Sequence, residues 1–89
     1  DSGRDLYLAF TQAEFADVQA RMEAINGVQT VAQMPSENGM LAVKLTCAPE
    51  DDLRETVYRQ IKQTDWLLME FRQETRTLEN IFRELTREN

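Results

Sequence analysis

Leu6, Leu8 and Phe10 alternate with Asp5, Tyr7 and Ala9, a period of two that lays three large apolar groups on one face of an extended strand. Thr11 follows directly, with Glu14 three places on. That is the spacing of a capping box, in which a hydroxyl and a carboxylate satisfy the free N–H groups of a helix start. The predicted helix carries Phe15, Val18, Met22 and Ile25 along one side, while Asp17 and Arg21 stand four apart on the wet side. Asn26-Gly27 ends it, because both residues accept the left-handed backbone used after helix ends.

Val28 to Met34 gives a second strand, with β-branched content but irregular alternation. Pro35-Ser36-Glu37-Asn38-Gly39 is a turn, since proline presets one backbone angle and Asn-Gly accepts positive φ. Beyond it Leu41, Val43, Leu45 and Cys47 alternate against Met40, Ala42, Lys44 and Thr46, so the turn makes this strand the hairpin partner of the second. Pro49 with Glu50, Asp51 and Asp52 reads as a helix entrance, where negative charge meets the positive end of the helix dipole. Leu53, Val57 and Ile61 mark the buried side of that helix, Glu55 and Arg59 an exposed pair, and Thr64-Asp65 its close. Trp66 to Arg72 is the fourth strand, followed by a charged turn, Arg72 to Arg76. A helix capped by Thr77 comes last, with Leu78, Ile81, Phe82 and Leu85 on one stripe and Glu79 near Arg83 on the other. The order β-α-β-β-α-β plus one C-terminal helix predicts an α+β, ferredoxin-like sandwich, two helices on one face of a four-stranded antiparallel sheet. The period-two runs at Leu6–Phe10 and Leu41–Cys47 disfavour an all-helical chain.

Composition narrows the chemistry. Eighty-nine residues, 42% hydrophobic and 29% charged, suit one small globular domain. The net charge of −6 opposes binding to nucleic acid or to an anionic lipid surface. Cys47 is the single cysteine and the chain has no histidine, so neither an intrachain disulfide nor a zinc site of the usual nitrogen and sulfur kind can form. The same facts deny Cys47 an activating base, and its place on the apolar side of a strand makes it a core thiol. Asp51 and Asp52 are adjacent and diverge on a helix, which suits a helix entrance better than a metal or acid–base pair. Glycines 3, 27 and 39 are isolated, whereas a phosphate loop needs them clustered before a helix. A single-stranded RNA reader on this topology needs aromatic residues on the open sheet face, where Tyr7 is the only candidate. No apolar run approaches the ~20 residues that span a bilayer.

The strand, charged turn and helix from Trp66 to Leu85 resemble the C-terminal end of ATP-binding subunits of bacterial ABC-2-type exporters, the branch that includes drug-export and gliding-motility transporters. A Ser/Thr-Leu-Glu-Asp/Asn-Val/Ile-Phe signature opens the helix there, and Thr77-Leu78-Glu79-Asn80-Ile81-Phe82 stands in its place here. The resemblance implies a cytoplasmic accessory domain cut from a longer ATPase subunit, peripheral to the inner membrane through the transporter, with residues 1–4 a linker remnant. It implies no catalytic, cofactor-binding or metal residue in this segment, ATP and Mg being held by an upstream domain. The implied partners are that ATPase domain, a second ATPase subunit in a dimer, and the membrane permease.

Strand four is apolar on both faces, Leu67, Met69 and Phe71 against Trp66 and Leu68, so something has to cover the second face. The last helix is the nearest cover, a second subunit or the ATPase domain the next. The interface candidates are therefore Trp66, Leu68, Leu78, Ile81, Phe82 and Leu85. The alternative from another functional class is a free-standing ferredoxin-like sensor of small molecules, of the amino-acid-binding kind.

Overall fold

The computed structural model describes residues 3–76 and 78–87, with side chains over 3–76 and 82–86. The chain runs β1 (Arg4–Thr11), α1 (Phe15–Glu23), β2 (Val28–Met34), β3 (Leu41–Cys47), α2 (Arg54–Ile61), β4 (Leu67–Thr75) and α3 (Leu78–Arg87). The strands form one antiparallel sheet in the order β2-β3-β1-β4. This is the ferredoxin-like βαββαβ sandwich with one added helix.

The alternation of β1 and β3 determines where the core sits. Leu6 pairs with Leu45 and Leu8 with Val43 across the two central strands, and all four are buried. Phe10 and Cys47 join them on the same face, against Val18, Met22 and Ile25 from the α1 segment and Leu53, Val57 and Ile61 from the α2 segment. Phe15 and Trp66 pack at its margin, the tryptophan edge-on to Phe10 with ring centroids 5.6 Å apart.

Both helix starts differ from the expectation. Thr11 is still strand, paired with Leu67, and Gln12 turns the chain at φ 60°. Glu14 therefore becomes the residue flanking α1, without a side-chain cap; ladder pairing takes Thr11 before a capping box can form. Helix α2 begins only at Arg54, because Asp52 accepts the Arg54 N–H at 3.2 Å and holds its guanidinium at 2.7 Å. That pairing keeps the Asp52 carboxyl at about 2. The Thr77 cap and the Glu79 pairing lie outside the described residues.

Gly27 shows why the α1–β2 turn needs glycine. Its φ is +101°, and a β-carbon there would stand 2.8 Å from an Asp51 carboxylate oxygen and 3.0 Å from Leu53 Cδ1, while its carbonyl accepts the Ala48 N–H at 3.0 Å.

Strand β4 departs furthest from expectation, running to Thr75 through what the sequence predicts as a turn. Asp5 pairs with Glu74 and Arg4 with Thr75, so the long central strand holds the charged segment extended. Arg4 is thus part of the sheet, and the Gly3 carbonyl accepts the Arg76 N–H at 2.8 Å. The register shifts between Ala9 and Phe10, leaving Met69 as the extra residue of a bulge. Leu68 and Phe71 both reach the core in consequence, while Leu67 and Met69 are exposed. The doubly apolar reading of this strand is therefore resolved by the bulge, which interrupts the alternation.

Leu6→Ala is expected to lower stability by about 2–5 kcal/mol, read as a fall in urea midpoint at unchanged slope. Burial pushes the Cys47 thiol above its ordinary 9.0. The folded chain should therefore resist iodoacetamide at pH 8 and react once urea unfolds it. Because the unfolded thiol loses its proton first, stability should fall as pH rises above about 9, a loss that Cys47→Ala removes.

Candidate functional site

The sheet face away from α1 and α2 is polar. It presents Asp5 and Tyr7 from β1, Lys44 and Thr46 from β3, and Arg72 and Glu74 from β4, in lateral pairs Asp5–Thr46, Asp5–Glu74, Tyr7–Lys44 and Tyr7–Arg72. Tyr7 sits between two cations, with the Arg72 guanidinium 4.3 Å and the Lys44 ammonium 5.8 Å from its ring centroid. Burial raises the Tyr7 phenol, and Lys44 partly opposes that rise. Arg72 also holds Glu74 at 3.0 Å along the same strand.

Asp5 is the buried charge of this face, 4% exposed. A carboxylate taken out of water needs cations at hand; Arg76 Nε lies 3.0 Å from one oxygen and Lys44 Nζ 3.8 Å from the other. The Arg76 contact is one of charge, since neither atom has an aligned hydrogen-bond partner. Arg76 Nη2 donates instead to the Cys47 carbonyl at 3.2 Å. Gly3 makes room for this arm: a β-carbon there would collide with Arg76 Nη2 and approach the Cys47 carbonyl to 2.9 Å. One arginine thus ties the end of β4 to β1 and β3 where the chain leaves for α3.

Helix α3 lies on this polar side of the sheet. Glu84 and Leu85 close a cleft of about 290 Å³ over Asp5, Tyr7, Lys44 and Arg76. Cover of the face by α3 is incomplete, for Phe82 remains 68% and Leu85 66% exposed.

The expected interface residues consequently divide. Trp66 and Leu68 pack against the core, on the side of the sheet that α1 and α2 occupy, so they do not join the α3 stripe in one patch. The Met69 bulge is the reason for Leu68, and the Phe10 ring for Trp66. Phe82 and Leu85 are exposed together, and the side chains of Leu78 and Ile81 lie outside the described residues. Sequence reading missed Asp5, Arg76 and Gly3 as a unit. A signal existed only for Asp5, a charge on the polar side of a central strand; its partner stands 71 positions away.

Arg76→Met should destabilise the fold by about 3 kcal/mol, because Asp5 keeps its burial and loses its nearer cation. Lys44→Met should cost about 1 kcal/mol or less, the ammonium being longer-range and partly solvated. Phe82→Ala, at an exposed position, should change stability by no more than about 0.5 kcal/mol. Chemical denaturation of the three variants ranks them. No protein-family model matches the chain and no curated protein matches it, so the chemistry of this face is read from its own residues.

Proposed function

We propose that this chain is a non-catalytic accessory domain of an ABC transporter ATP-binding subunit, working by protein contact through β4 and α3. The observation that carries the reading is the exposed pair Phe82 and Leu85 on α3, within the same Trp66–Leu85 segment that bears the exporter resemblance. Single exposed apolar residues are ordinary on a surface. Two of them one turn apart on an amphipathic helix supply the apolar anchors that a partner surface uses; Leu67 and Met69 are exposed separately, at the start of the edge strand. In this reading ATP and Mg are bound upstream, two such subunits serve one permease, and the domain lies in the cytoplasm, peripheral to the inner membrane. No helix among the described residues is long and apolar enough to cross a membrane, which is compatible with that placement.

A second reading is favoured by the cleft under α3. Lys44 and Arg76 stand there beside Asp5, Glu74 and Glu84, and walls of both signs suit a small zwitterion such as an amino acid. In that case the chain is a ligand sensor. A thermal-shift series with free amino acids tests it directly, a rise in melting temperature that Lys44→Met abolishes being the supporting result.

For the leading reading, the whole reading frame containing this chain should encode a phosphate loop and an ABC signature motif upstream. In the protein it encodes, Phe82→Glu/Leu85→Glu should change ATP turnover at least about threefold, under 1 kcal/mol at the barrier, while circular dichroism of the variant stays that of the folded domain. A frame without those motifs, or turnover indifferent to the double substitution, sinks it.

A further inference from the structure

We propose that the free edge of β4 pairs antiparallel with the same edge of a second copy of this chain, about a two-fold axis through Gln73, joining the two four-stranded sheets into one. The proposal rests on the reading of β4 and α3 as a contact surface and names the partner.

Among the described residues β4 ends the sheet, bonded to β1 alone, and an unpaired edge is a template for another strand. Natural edges are blunted by charge, and β4 carries Glu70, Arg72 and Glu74. The order of those charges decides the matter, because it is self-complementary in one regular register. With the axis through Gln73, Arg72 faces Glu74 of the second copy and Glu74 faces its Arg72, while Phe71 comes opposite Thr75; Arg76, in register with Glu70, stays turned inward to Asp5 and the Cys47 carbonyl. Opposite charges placed directly across an antiparallel pair stabilise it, and like charges oppose it.

The two adjacent registers fail that test. An axis through Arg72 sets Arg72 against itself and Glu70 against Glu74. An axis through Glu74 sets Glu74 against itself and Arg72 against Arg76. An axis through Phe71 restores opposite charges but draws the Met69 bulge into the ladder opposite Gln73. The favoured axis sets Gln73 opposite Gln73 of the second copy, a neutral pair that opposes no charge. The other sheet edge, β2, carries no charge at all from Val28 to Met34, so nothing on it selects a register. Since α3 starts just past β4, two helices would flank the joined strands on the polar face, each with Phe82 exposed.

Cysteine pairing reads the register. In a Cys47→Ser background, Arg72→Cys mixed with Glu74→Cys should yield a covalent dimer under mild oxidation at least about fivefold above either variant alone, because directly opposed β-carbons are within disulfide reach. Arg72→Glu should weaken dimerisation in sedimentation velocity about tenfold, by setting like charges opposite each other, and Arg72→Glu/Glu74→Arg should recover it. A cross-link formed by Arg72→Cys alone, or by Ala32→Cys on β2, overturns the register. A wild-type chain monomeric up to about 1 mM, the millimolar limit of useful affinity, overturns the pairing itself. A monomeric chain whose Phe82→Glu/Leu85→Glu variant still alters turnover of the parent ATPase sinks β4 pairing and leaves the accessory reading standing. A dimeric chain in a frame without ATPase motifs does the reverse.

Discussion

The central strand β1 has to be hidden on both faces, and the arrangement of the molecule follows from how each face is covered. Leu6, Leu8 and Phe10 go under α1 and α2, a burial that depends only on apolar area and shape complementarity. Asp5 on the reverse face has no such option, because its charge cannot be buried alone. Arg76 and Lys44 come to it from β4 and β3, so the two halves of the fold meet at one carboxylate.

That meeting orders the C-terminal part of the chain. Arg76 is anchored through its backbone to Gly3, through Nη2 to the Cys47 carbonyl and through Nε to the Asp5 charge. These contacts keep the charged segment after Phe71 extended as strand and fix the point from which α3 departs. A helix leaving there lies on the polar face, where it closes the cleft only in part. Exposure of Phe82 and Leu85 is the physical consequence, and it is why the functional reading turns to protein contact.

The charged and nucleophilic groups of the described residues are mutually compensated or buried. Tyr7 is engaged by two cations, Cys47 is a protonated core thiol, and the acids of the polar face stand close to bases. Groups compensated in this way position one another. What they leave open is the edge of β4, whose alternating charges form a code that only a strand of matching order can read.

By itself the sequence determined the elements and the core. Period-two runs at Leu6–Phe10 and Leu41–Cys47 and the stripes Val18–Met22–Ile25 and Leu53–Val57–Ile61 each report a buried face locally, so the βαββαβ order and its core were legible without coordinates. The bounds of β2 and β3 were readable too, between Gly27 and the Pro35–Gly39 turn and then up to Pro49. Non-local pairing was decided only in the tertiary structure. Thr11 forgoes its cap because Leu67 is beside it, and Arg72–Thr75 is strand because β1 is long enough to pair it. The Met69 bulge sends Leu68 and Phe71 to the same face, and Asp5 finds Arg76 from the far end of the chain. Local periodicity records which side of a segment is buried; it carries no information about which distant residue will share a ladder or neutralise a charge.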